Sequence, residues 1–158
     1  PWADGFADAA VSVAGVHHLA DKAPLFGELH RVLRPGGWLL LADVHRDSPV
    51  AGFLDDFVGT YTPTGHAGAY LDDGTPGQLE AAGFAVHRAE RVAYPWWFRD
   101  ERAMTAFCRL LFNLRGVSDA RILEAIGRYL GTTRGDGEVG MNWELFLVLA
   151  GRPGPTAG

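Results

Sequence analysis

The residues best suited to chemistry are histidines and a carboxylate that fall just after apolar runs. His17 and His18 follow residues 9–14 and the pair Gly15-Val16, while Asp43 closes the run 38–42 with His45 two positions on. Imidazole titrates near neutral pH, so His17 or His18 can orient or deprotonate a protic acceptor, and Asp43 with His45 reads as a base and its orienter. The plainer readings are a histidine capping the next helix and a solvated loop. Gly15 lets a ligand approach the backbone closely, or simply ends a strand. Tyr61, Tyr70, Trp96, Trp97 and Phe112 offer flat apolar surface for a planar small molecule, against a packing role in the core.

Other chemistries lack their spacing. The six histidines show no H-x-x-x-H pair, and there is no G-x-S-x-G elbow, Walker loop or dinucleotide fingerprint. The single cysteine, Cys108, lies in an apolar stretch and reads as a packing thiol in a reducing compartment. With 14 Lys and Arg against 19 Asp and Glu, the net charge of −5 over 158 residues argues against a nucleic-acid partner. No apolar run approaches the ~18 residues of a membrane span, and the opening residues lack a signal-peptide pattern, so a cytoplasmic location is expected.

Positioning these groups requires a strand-helix-strand frame. Residues 9–14 read as a strand buried on both faces, and Leu25, Phe26, Leu29, Val32 and Leu33 form a helical stripe behind the N-cap Asp21. Arg34-Pro35-Gly36-Gly37 turns the chain into a strand at 38–42, which makes one parallel βαβ crossover. Ser48-Pro49 opens a helix that Gly59 ends, and an irregular stretch from Thr60 to Gly74 follows. Thr75 and Gln78 suggest a capping box, and Gly83-Phe84 a Schellman ending. A strand runs from Phe84 to Tyr94 and is broken by Pro95-Trp96-Trp97-Phe98.

Two helices then carry the stripes Met104, Phe107, Leu110, Leu111 and Ile122, Leu123, Ile126, the second capped by Ser118. After a Gly-rich turn at 131–140, residues 143–149 form the last of four strands. The first strand's small and β-branched residues suit an interior slot, so one sheet edge is expected to be covered by something outside these residues.

The pieces Gly5-Phe6-Ala7-Asp8-Ala9, Val16-His17-His18-Leu19 and Arg31-Val32-Leu33-Arg34-Pro35-Gly36-Gly37 resemble the downstream motifs of class I S-adenosylmethionine-dependent methyltransferases. Within that class the nearest likeness is the small-molecule group with the R-V-L-x-P-G-G signature. Leu79-Glu80-Ala81-Ala82-Gly83-Phe84 resembles the family's L-x-x-A-G-F helix and strand, and residues 143–150 its last, antiparallel strand.

The resemblance implies an α/β, Rossmann-like sheet, mainly parallel. Residues 1–152 would be its C-terminal half, with 101–130 a helical insertion between the last two strands and 153–158 a flexible tail. The upstream strand with its Gly-rich cofactor loop and the acidic residue for the ribose have no counterpart here. By the same resemblance, Ala14, Gly15 and Val16 would line the cofactor site, with His17 counted among its residues; His18, Asp43 and His45, which stand at the strand exits, are the catalytic candidates. Tyr61, Tyr70, Trp96 and Trp97 would face a small-molecule acceptor. The competing expectation is a non-catalytic half-domain that pairs through its open strand edge with itself, with the missing half or with a partner chain.

Overall fold

In the computed structural model, which describes residues 2–154, the chain forms two compact units. One comprises residues up to 46, 69–92 and 145 onward; the other comprises 47–68 and 93–144.

In the first unit, β1 (Ala7–Val13) and β2 (Leu33–Asp43) run parallel, joined through helix α1 (Ala23–Val32). Their register, Ala9 opposite Trp38 through Val13 opposite Ala42, is the crossover expected from the sequence. The expected N-cap Asp21 falls one residue short: Lys22 is the cap residue and its side chain makes no cap bond, while Asp21 Oδ1 accepts from the Ala23 N–H at 3.0 Å in the turn just ahead. At the other end, the Arg152 guanidinium donates to the carbonyls of His30 (2.8 Å) and Leu33 (2.6 Å), which gives the closing turn a cationic cap. β2 starts at Leu33 rather than 38, because Ala7 already pairs with Leu33 before a register shift.

The strand order is β1-β2-β5-β3, where β3 is Ala85–Phe98, β5 is Glu138–Gly151, and β4 (Thr132–Gly135) pairs separately with β5. β5 lies antiparallel to β2, Trp38 facing Gly151 and Asp43 facing Phe146, so the expected antiparallel final strand is present.

Helix α4 (Thr75–Ala81), which follows α2 (Pro49–Gly52) and α3 (Gly59–Tyr61) along the chain, ends as the sequence predicts. Gly83 at φ +95° lets its N–H reach Glu80 O (2.9 Å) and Phe84 N–H reach Leu79 O (3.1 Å). Its start differs, because Thr75 is already helical and its hydroxyl accepts from the Asp72 N–H instead of forming a capping box.

Phe26, Leu33, Leu39, Leu41, Leu79 and Val148 belong to the unit's core. β1 departs from the expected burial on both faces. It ends the strand path with β2 as its one neighbour, and Val11 and Val13 are 67% and 59% exposed.

In the second unit, Ser48 caps α2 (Pro49–Gly52), accepting from the Ala51 N–H, and the chain continues through a π-helical stretch, Phe53–Val58, into α3 (Gly59–Tyr61). Gly59 does not end the helix; a Cβ there would stand 3.0 Å from His66 O, so glycine is needed for the returning loop to pack close. Asp100 and Ser118 cap α5 (Glu101–Leu111) and α6 (Asp119–Ala125).

The buried face of α5 is Met104, Thr105 and Cys108. Leu110 stays 83% exposed and Leu111 51%, because both sides of this helix carry apolar residues and periodicity alone picks the richer one. β3 continues through Pro95 to Phe98, a proline that an end strand tolerates. The supposed Gly-rich turn holds a fifth strand: β4 and the start of β5 form a hairpin whose turn is Asp136 (φ 46°) and Gly137 (φ 79°). Cys108 is fully buried beside Met141, and burial pushes its thiol up to about 12. Among the described residues, no helix is long and apolar enough to cross a membrane. Most of the expected tail, residues 155–158, lies outside the described residues.

Candidate functional site

Ligand crevices of open α/β sheets lie beyond the carboxyl ends of parallel strands, which here are the exits of β1 and β2 in the first unit. Directly after β1, Ala14 takes φ +49°, a left-handed conformation that costs a residue with a side chain about 1–2 kcal/mol. Its N–H donates to Ala42 O at 2.8 Å, which holds the turn against β2. Gly15, by contrast, sits at φ −128°, and a Cβ there would make only ordinary contacts at 3.7 and 3.9 Å. The strain therefore lies at Ala14, and the chain's own packing does not require a glycine at 15. Both residues are exposed; Val16 and His17 are buried.

Asp43, the last residue of β2, is fully buried and organises this turn. Its Oδ2 accepts from the N–H groups of Val16 (2.8 Å) and His17 (3.1 Å). Its Oδ1 accepts from the Val44 N–H and stands 2.7 Å from His17 Nδ1. Burial is the largest influence on the carboxyl and pushes its pKa up. The hydrogen bond to His17 and those from Val44 and Val16 outweigh it and hold the group below the usual carboxylate range. An ionised carboxylate only accepts, so His17 Nδ1 carries a proton, and in the neutral ring the lone pair then falls on Nε2. His18 is exposed and its ring lies 4.0 Å from that of His17, centroid to centroid; the ring of buried Tyr70 lies 6.2 Å from that of His17.

His45 does not pair with Asp43. It is fully buried, packs edge-on against Phe146 at 5.0 Å, accepts at Nδ1 from Arg91 (2.7 Å) and faces Asp73 at Nε2 (3.2 Å). Alongside, Leu71 bridges to His45, with its N–H donating to Val44 O and its carbonyl accepting from the Arg46 N–H. The segment 69–71 thus lies along the exit of β2, and the Ala69 N–H donates to His17 O at 2.8 Å. Lys22, 8% exposed, donates from Nζ to Leu19 O and Ala69 O. Desolvation lowers its pKa, against the opposing pull of Asp43 and Asp72. Nothing in the sequence around Lys22, a residue ahead of Ala23-Pro24, signals this role.

Of the expected acceptor-facing aromatics, Tyr70 belongs to the first unit and the others to the second. There Tyr61 is half-buried, packs against Phe57 at 5.1 Å, and lines a cleft of about 80 Å³ with Arg121, Arg128 and Tyr129. Trp96 and Phe112 both stack on Trp143, at 4.7 and 6.2 Å. Trp97 is 45% exposed and lies against the space left by Gly135 and Gly140. Among the described residues, no cluster of three or more His, Cys, Asp or Glu side chains is disposed to hold a metal ion.

Comparison with known proteins places this geometry in context. Residues 1–41 match the family described as a methyltransferase domain. A methyltransferase structure from Bacillus halodurans shares the fold with a TM-score of 0.62 at 20% identity, over 97% of this chain and 73% of that one. The [4+2]-cyclase SpnF gives 0.55 at 22% identity, covering 98% of this chain and 52% of its own. An S-adenosylmethionine-dependent methyltransferase from Thermotoga maritima gives 0.55 at 13% identity, over 96% and 59%. The sequence pattern over residues 1–41 is thus that of a methyltransferase domain, and the fold over nearly the whole chain is one that these methyltransferase structures share.

Proposed function

We propose that this chain forms the acceptor-side part of an enzyme that transfers a methyl group from S-adenosylmethionine to a small-molecule acceptor. The observation that carries this reading is the Asp43 clamp: one buried carboxylate fixes the backbone of the turn after β1 and the tautomer of His17 together. The exposed, strained Ala14 and the uncrowded Gly15 suit close approach of a cofactor, whose methionine side residues 14–16 would line, with His17 behind them. Bound there, S-adenosylmethionine supplies an activated methyl on a sulfonium. The chain's task is then to hold the acceptor in line and, where that acceptor is protonated, to take its proton.

His17 Nε2 is suited to that second task because Asp43 holds the opposite ring nitrogen, and exposed His18 and buried Tyr70 flank it. His45, tied to Arg91 and Asp73, is proposed to brace the exit of β2 beside residues 69–71 rather than to take the proton. Trp96, Trp97 and Tyr61 are proposed as apolar contacts for an acceptor only where the second unit presents them to solvent.

The outer edge of β1, with exposed Val11 and Val13, is proposed to take a further strand that completes the nucleoside site. The buried thiol of Cys108 suits a cytoplasmic, reducing setting. SpnF carries the same fold under another reaction name, so the test has to be chemical. Calorimetry with S-adenosylhomocysteine should show micromolar binding by the product of the full reading frame and at least about tenfold weaker binding after Asp43→Asn. Equal binding by both would remove Asp43 from the site, and no binding by the full product would sink the methyltransferase reading. Residues 1–158 alone should bind poorly. If they bind as tightly as the full product, the added strand is unnecessary.

A further inference from the structure

The irregular stretch that precedes α4 ends in a short segment, residues 69–71, that is tied down twice. Leu71 exchanges backbone hydrogen bonds with Val44 and Arg46, and Ala69 donates to His17 O. The Ala69 carbonyl, which points the other way, is taken by Lys22. That ammonium is buried, comes from the residue just ahead of α1, and also donates to Leu19 O at the end of the His17-His18 turn. A lysine loses hydration and side-chain freedom when buried, so a surface anchor would not need one here. In this place its one ammonium bonds both the segment bearing Tyr70 and the turn bearing His17.

We infer that Lys22 is a positioning residue: a latch that holds the segment 69–71, and with it Tyr70, against the His17–Asp43 pair and so sets the acceptor side of the site. The inference rests on the methyl-transfer reading only for what the site does, since the latch itself is a property of the fold. Without the ammonium, Ala69 O and Leu19 O lose a common donor, and the segment is left to its Leu71 bonds and the single Ala69 N–H bond to His17 O. That one bond then opens more readily and loosens Tyr70 against His17, while β1, β2 and the Asp43 clamp stay as they are. Asp43, Asp72 and, most weakly, Asp21 are the acidic groups that act on Lys22, and Arg46 opposes them, so the charge also helps balance a buried carboxylate.

Lys22→Met and Lys22→Arg, made in this chain, test the latch by amide hydrogen exchange and by ring contacts between Tyr70 and His17 in NMR spectra. With Lys22→Met the Ala69 amide should exchange at least about tenfold faster while amides of β2 change less than about twofold, and the Tyr70–His17 contacts should vanish. Lys22→Arg, which keeps the charge and the donors, should restore both. Unchanged exchange at Ala69, or acceleration spread evenly through β2, would overturn the latch. In the catalytically assayed full product, Lys22→Met should raise the acceptor KM about tenfold with kcat within about twofold. Absence of methyl transfer in every variant, wild type included, would defeat the proposed function and leave the exchange result standing.

Discussion

Two histidine–carboxylate contacts lie within one unit and differ in almost everything but their names. His17 and Asp43 meet at 2.7 Å, and the carboxylate is fully buried and also accepts from three backbone N–H groups. His45 and Asp73 meet at 3.2 Å; the imidazole is buried, but the carboxylate is 92% exposed and water competes for it. The first contact shapes a turn and fixes a tautomer, while the second trims a surface around a ring whose position is set by Phe146 and Arg91. Residue types alone rank the two as similar; distance, burial and the number of backbone donors separate them.

The largest effect should come from breaking the stronger member. Asp43→Ala leaves the N–H groups of Val16, His17 and Val44 without their acceptor and should cost on the order of 3 kcal/mol in urea unfolding, with loss of cofactor binding. A cost below about 1 kcal/mol would show that the clamp is not structural.

Acid should reveal the same difference. Because the folded state holds the Asp43 carboxyl below its unfolded pKa of about 3.9, its stabilisation is complete above that value and fades as pH falls through the lower, folded one. Stability measured between about pH 4 and 2 should therefore fall less steeply in Asp43→Asn than in wild type, and parallel curves would contradict the depressed pKa. His17→Gln, which removes the basic lone pair, should leave unfolding within about 1–2 kcal/mol of wild type yet reduce methyl transfer to a protic acceptor at least tenfold in the full product. The smallest effect belongs to Asp73→Asn, expected within about 0.5 kcal/mol because its carboxylate is solvated. A larger loss would make the two contacts more alike than their burial indicates.

Much of the frame was legible because it depends on local rules. Ser48 and Ser118 cap the helices they were read to cap, Gly83 closes α4, and the runs around 9–13 and 38–42 pair in parallel. The Asp136-Gly137 hairpin was also written locally, as the dipeptide most favoured for a tight hairpin, and was hidden by the glycines around it. Other features were out of reach. Pro95 reads as a breaker until β3 is seen to end the strand path, and α5 has two apolar faces of which the unit covers the less hydrophobic. In the site, Asp43 and His17 were both singled out, but Asp43 was matched to its near neighbour His45 rather than to a histidine 26 residues away.

By itself, the order of residues determined the strand-helix-strand crossover, the caps and turns, and which groups stand at the strand exits, since all of these follow from side-chain periodicity and backbone preferences over a few positions. Tertiary structure decided who bonds to whom there. Parallel pairing brings the exit of β1 over the end of β2, so the unsatisfied amides of Val16 and His17 meet the Asp43 carboxylate, and the return of residues 69–71 gives the Lys22 ammonium its carbonyls. Buried polar groups must find partners wherever the fold supplies them, and that demand acts through space rather than along the chain.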